Sequence, residues 1–263
     1  MKKNINSISR FIKMTLVFFV VSGLYIIPAY SQQMPGMKMD TTRVKDKAMK
    51  DMQEKMMLPM AFFTHMGMPL SVGTFGIRVA SLITQNEEGT KTEFNFQFET
   101  GLSKTVGLFV GGEKLFSDAT LEAMVQFLVL KSKNGMNGFS PLIEFEFPLG
   151  REAKRRVYTL VGFASTISNS HIAFNQVIHY SPLEDLVEGS ASFVIKISRQ
   201  IFIVSEISGV TEKGEPPIFN LLAGIKVKVA RNFLLGFAYQ FPLTSNRDYT
   251  SQYVFQPNLM LYK

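Results

Sequence analysis

The chain has 263 residues, no cysteine, no tryptophan and a formal net charge of +7 at pH 7. Without cysteine it holds no disulfide, no thiolate metal site and no lipidated cysteine behind an export signal. The charge is small and scattered, which argues against a nucleic-acid surface.

Residues 1–31 read as an export signal. Lys2, Lys3, Arg10 and Lys13 form a basic start, residues 14–27 are apolar apart from Thr15, Ser22 and Gly23, and Ala29-Tyr30-Ser31 offers a small-residue cleavage site. The apolar run is shorter than the roughly 20 residues of a spanning helix. Removing those four basic residues lowers the charge from +7 to about +3.

Residues 32–70 read as a periplasmic segment rich in methionine. Ten of the fifteen methionines lie between Met34 and Met68. Met34, Met37, Met39, Met49, Met52, His65, Met66 and Met68 form a candidate set of soft donors that suits Cu(I) or Ag(I). The tail resembles the Met-rich leaders of outer-membrane copper-resistance proteins. Met49, Met52, Met56 and Met60 also fall at helical spacing among charged residues, the pattern of an amphipathic helix lying on the inner leaflet or partly plugging a barrel.

From residue 71 onward the period changes to two. In K-T-E-F-N-F-Q-F-E-T at 91–100, Phe94, Phe96 and Phe98 point one way while Glu93, Asn95, Gln97 and Glu99 point the other. Similar segments occur at 72–84, 105–112, 119–131, 139–149, 157–167, 172–180, 187–198, 201–208, 219–229, 233–241 and 253–262. Most of these lengths match the roughly 9–11 residues of a tilted membrane strand. With a periplasmic N-terminus, the inward-side links are short turns such as S-N-S and A-R-N, while the outer links are longer and charged. The fold class is all-β: a closed antiparallel transmembrane barrel of about twelve strands over 71–263, preceded by a short helical or irregular segment. Closure is required because an open edge in lipid leaves backbone groups unpaired.

Residues 139–262 resemble the bacterial outer-membrane family named for a MetA pathway of phenol degradation. The resemblance rests on F-E-F-P-L-G at 145–150, H-Y-S-P-L at 179–183, I-F-I-V-S-E-I at 201–207, L-L-A-G-I-K at 221–226 and the A-R-N turn. It implies a barrel that moves small, often hydrophobic, molecules across the outer membrane of a Gram-negative bacterium.

Alternation turns Arg78, Glu93, Glu99, Glu122, Glu144, Glu146, Glu188, Lys196, Glu206, Lys226 and Lys228 toward the lumen. Acids on the second to fifth strands would face lysines on the eighth and tenth, a field suited to selecting polar solutes. The alternative is a lumen filled by paired charges. His179-Tyr180-Ser181 has the His-x-Ser spacing of outer-membrane phospholipase A, but Pro182 follows and His179 faces inward. The expected function is a passive channel or transporter for small solutes, not an enzyme. Outer-membrane lipid is its surroundings, and no bound cofactor is expected. Copper or silver handling is the alternative, and lipid hydrolysis a minor one.

Overall fold

Segments with one apolar and one polar side bury neither unless the sheet rolls up with lipid outside and polar groups inside. The computed structural model describes residues 58–87, 89–115, 119–133, 135–149, 157–245 and 249–262. The strands are β1 (Thr74–Asn86), β2 (Gly89–Gly101), β3 (Val106–Glu113), β4 (Thr120–Phe127), β5 (Leu130–Lys131), β6 (Gly138–Pro148) and β7 (Tyr158–Ser168). They continue as β8 (Ile172–Ser181), β9 (Leu186–Lys196), β10 (Ile201–Glu212), β11 (Ile218–Ala230), β12 (Phe233–Pro242) and β13 (Ser251–Tyr262).

Apart from β4 and β5, which both pair with β6, successive strands pair antiparallel, and β1 pairs with β13, so the sheet closes on itself. The β4–β6 register runs from Thr120↔Pro148 to Gln126↔Leu142, and Leu130↔Phe139 resumes it beyond a break. β5 therefore continues β4, and the ring has twelve strand positions. The strand expected to run unbroken over 119–131 is interrupted at 128–129. There the amide of Leu128 turns to the Thr105 carbonyl on one side and that of Val129 to Phe139 on the other. The strand expected over 201–208 extends to Glu212.

Connections 149–157 and 243–250 are the longest and share one end with 114–119 and with the shorter β1–β2, β8–β9 and β10–β11 links. Links at the opposite end are 102–105, 132–137, 169–171, 197–200 and 231–232, none longer than six residues. The first end is taken as extracellular. Among the described residues no helix is long and apolar enough to cross a membrane, and strands do the crossing.

The outer face is apolar. Ile203, Ile225, Phe193 and Phe255 are exposed, and Phe237 and Phe255 lie 5.0 Å apart on neighbouring strands. An arginine in this belt must be dragged out of hydrocarbon. Ile225→Arg is therefore expected to cost roughly 2–4 kcal/mol, read as a lower urea midpoint of the folded barrel in lipid vesicles. An unchanged midpoint would place Ile225 outside the belt.

Residues 58–70 precede β1 and lie inside the barrel. The expected helix over 49–60 falls mostly outside the described residues, and 58–60 are not helical. Pro59 and Pro69 each lack an amide donor and disfavour a helical residue before them. An irregular backbone at membrane depth persists only where protein covers it and satisfies its polar groups.

Candidate functional site

The lumen supplies that cover. Glu206, on the inward side of β10, accepts the amides of Phe62 and Phe63 on Oε2, each at 3.1 Å, and that of Thr64 on Oε1 at 2.6 Å. Lys226 donates from Nζ to the Ala61 carbonyl at 2.8 Å and to Gln256 Oε1 at 2.9 Å. Gln256 in turn donates to the Phe62 carbonyl at 2.8 Å. The Lys226 ammonium also lies 4.6 Å from the centre of the Phe62 ring. Farther along, Gln126 donates to the Met66 carbonyl at 2.7 Å, and Ser140 to the Gly67 carbonyl at 2.8 Å. The Gly67 amide donates to Thr166 Oγ1 at 2.7 Å.

These side chains come from β4, β6, β7, β10, β11 and β13, so residues 58–70 form a strap across the periplasmic half of the lumen. Its wall contacts are tight. A Cβ on Gly67 would stand 2.4 Å from the Ser165 Cα, and one on Gly138 would stand 2.2 Å from the Met68 Cγ.

Apolar packing reinforces the polar contacts. Leu58, Ala61 and Phe62 pack among Leu82, Val194, Val204, Leu222 and Val254, all inward-facing and buried. Phe109, Met124, Leu142, Ala164 and Val177 form a second inward cluster, and the His65 ring stands edge-on to Phe109 at 4.5 Å. Burying a side chain the size of Phe62 is worth roughly 1.5–3 kcal/mol. Together the two clusters make an apolar zone inside a barrel whose inner face is otherwise polar.

On the extracellular side of the second cluster the inner face turns acidic. Glu122, Glu144 and His179 each stand one inward position beyond Met124, Leu142 and Val177. His179 Nδ1 is 3.0 Å from Glu188 Oε1 and 3.3 Å from Glu144 Oε2. The charges of Glu113, Glu144, Glu146 and Glu188 all act on Glu122. On the extracellular turn, partial burial and the carboxylates of Glu212 and Glu188 push Glu184 above the ordinary carboxylate range.

The other lumen candidates are distributed differently. Arg78 is buried with both terminal nitrogens lacking hydrogen-bond partners, under the charges of Glu99 and Glu206. Glu93 pairs with Lys91 at 2.7 Å toward the extracellular end of β2. Lys196 and Lys228 are half-buried at the periplasmic ends of β9 and β11. The expected acidic and basic walls do not oppose each other at one level. Glu93, Glu122, Glu144, Glu146 and Glu188 lie high in the barrel, whereas Glu99 is near the periplasmic end of β2, Glu206 and Lys226 serve the strap, and the other two lysines sit at the low rim.

Of the candidate metal donors, Met34, Met37, Met39, Met49 and Met52 lie outside the described residues. His65, Met66 and Met68 are strap residues: His65 packs on Phe109, Met66 offers its carbonyl to Gln126, and Met68 lies against Gly138. His179 and Ser181 are both buried on the lumen side of β8, so that pair does not face lipid.

Glu113, Ser140 and Thr166 were not singled out in the sequence. Gln126 and Gln256 show there as inward residues, but a strap backbone as their partner leaves no pattern in the sequence. The His179–Glu188 pair is a direct cross-strand neighbour and becomes visible once the β8–β9 register is known.

Solved structures share this architecture. The chain aligns with the NanC porin at a TM-score of 0.52 and 6% identity, covering 72% of this chain and 99% of that one. The KdgM porin aligns at 0.54 and 8% identity, covering 70% and 98%. The COG4313 outer membrane channel from Pseudomonas putida F1 aligns at 0.54 and 9% identity, covering 78% and 100%. The fold is that of an outer-membrane channel. No protein-family model and no curated protein matches the chain. The shared property is therefore the twelve-position barrel, and the resemblance to the phenol-degradation family is not supported by a family match.

Proposed function

We propose that the chain is an outer-membrane channel for small cationic or neutral solutes, closed at rest by its own strap. The observation that carries this reading is how the strap is held. Its hydrogen bonds to the wall are made by wall side chains, while the barrel closes through strand pairs that do not involve residues 58–70. The strap can leave without unpairing the barrel, and its departure uncovers a lumen at the periplasmic end. KdgM has been crystallised in complex with disordered oligogalacturonate, so a barrel of this fold accommodates a solute.

Charge supports the choice of solute. Glu113, Glu122, Glu144, Glu146 and Glu188 crowd the extracellular half, with His179 among them. A lumen lined by one sign of charge concentrates counter-ions and repels co-ions. Reversal potentials in a KCl gradient test this on a strap-released variant. Selectivity for K⁺ over Cl⁻ is expected, reduced when Glu122 and Glu146 are both changed to Gln. Preference for Cl⁻ would overturn the solute assignment, and a barrel silent in every variant would overturn the channel.

A further inference from the structure

We propose that Glu144, His179 and Glu188 form a binding site for a divalent transition-metal cation in the extracellular half of the lumen. The three residues come from β6, β8 and β9, and each offers a ligand atom within 4.8 Å of the other two. The Nδ1-to-oxygen separations of 3.0 and 3.3 Å are close to the ligand–ligand edge of a tetrahedral Zn²⁺ site, about 3.4 Å for bonds near 2.1 Å.

As it stands the cluster is poorly served by protons. A single Nδ1 hydrogen lies between two carboxylates, and Glu144 Oε2, in a residue 4% exposed, has no hydrogen-bond partner. His179, 6% exposed, has no partner on Nε2, and Ser181, fully buried at the next inward position of β8, has none on Oγ. Unsatisfied buried polar groups cost roughly 1–3 kcal/mol each, and the unpartnered Glu144 oxygen is aimed at His179 Nδ1, 3.3 Å away. A cation on Nδ1 takes the place of the shared proton, which leaves to solvent. Nε2 then faces away from the ion, as in any imidazole bound through Nδ1.

The donor set fits this class of ion. Two carboxylates and a neutral imidazole balance the charge of a divalent cation, and nitrogen with oxygen suits Zn²⁺, Mn²⁺ or Co²⁺ better than Cu(I) or Ag(I). Glu188, whose side chain is 33% exposed, provides the approach for the ion.

Full-length protein in detergent, titrated with Co²⁺, gives the readout through the visible absorption of the bound ion. One Co²⁺ per chain is expected, displaced by Zn²⁺ and weakened roughly tenfold or more in both His179→Gln and Glu188→Gln. Compact electrophoretic migration without heating checks that each variant is folded. His171→Ala, in the exposed turn after β7, should bind as the wild type does. Equal Co²⁺ binding by wild type and folded His179→Gln would overturn the site. Binding is measured on the resting protein, so this test stands apart from whether the barrel conducts.

Discussion

Glu206→Ala is expected to turn a closed barrel into an open one. The carboxylate holds three consecutive strap amides, and no other described side chain holds more than one. Its removal leaves those amides facing a protein wall, at roughly 1–3 kcal/mol per unpaired buried group. It also leaves the Lys226 and Arg78 charges without the carboxylate that acts on both. Even 3 kcal/mol shifts the seated-to-released ratio of the strap by roughly a hundredfold. Planar-bilayer recordings should show rare openings for the wild type and frequent, larger openings for the variant. Glu206→Gln, which keeps one acceptor oxygen, should fall between them. Equal conductance in wild type and Glu206→Ala would mean the carboxylate does not hold the channel shut.

The second large effect is reversible locking. The native chain has no cysteine, so an introduced pair reports alone. A Cβ at Gly138 would lie 2.2 Å from the Met68 Cγ, which puts the sulfurs of Met68→Cys and Gly138→Cys within bonding reach after a small adjustment. Residue 138 begins β6 and residue 68 lies in the strap, so this disulfide ties the strap to the wall. The double variant should oxidise readily and change its migration on reduction, while either single variant should not.

Much of the barrel was legible in the sequence because lipid on one side and a lumen on the other impose a strict period of two. The outward Phe94–Phe98 face and the inward Glu93–Glu99 face follow from that rule alone, as does Lys226 as an inward residue, whereas the continuously apolar run 201–208 fixes no facing by period and Glu206 is read inward from its charge. The strap was less legible. A coil that bonds to side chains has no period of its own, and Pro59, Gly67 and Pro69 mark only where helix is unfavourable. A trace of it does exist on the barrel. Val194, Val204, Leu222 and Val254 are apolar residues on the polar face of their strands, where a water-filled lumen gives them nothing to pack against. They form the dry seat for Phe62. The acid cluster was legible residue by residue, but not as a cluster, because its height depends on strand register.

That same register puts the strap and the Glu122–Glu144–Glu188 group at different depths of the lumen. Whether residues 58–70 close the pore is the claim on which the rest depends. The most direct measurement is single-channel conductance of Glu206→Ala combined with Met68→Cys and Gly138→Cys, recorded oxidised and then after adding reductant to the same bilayer. The strap account predicts a silent oxidised channel that opens on reduction to the level of Glu206→Ala. Full conductance while the disulfide is intact would contradict it.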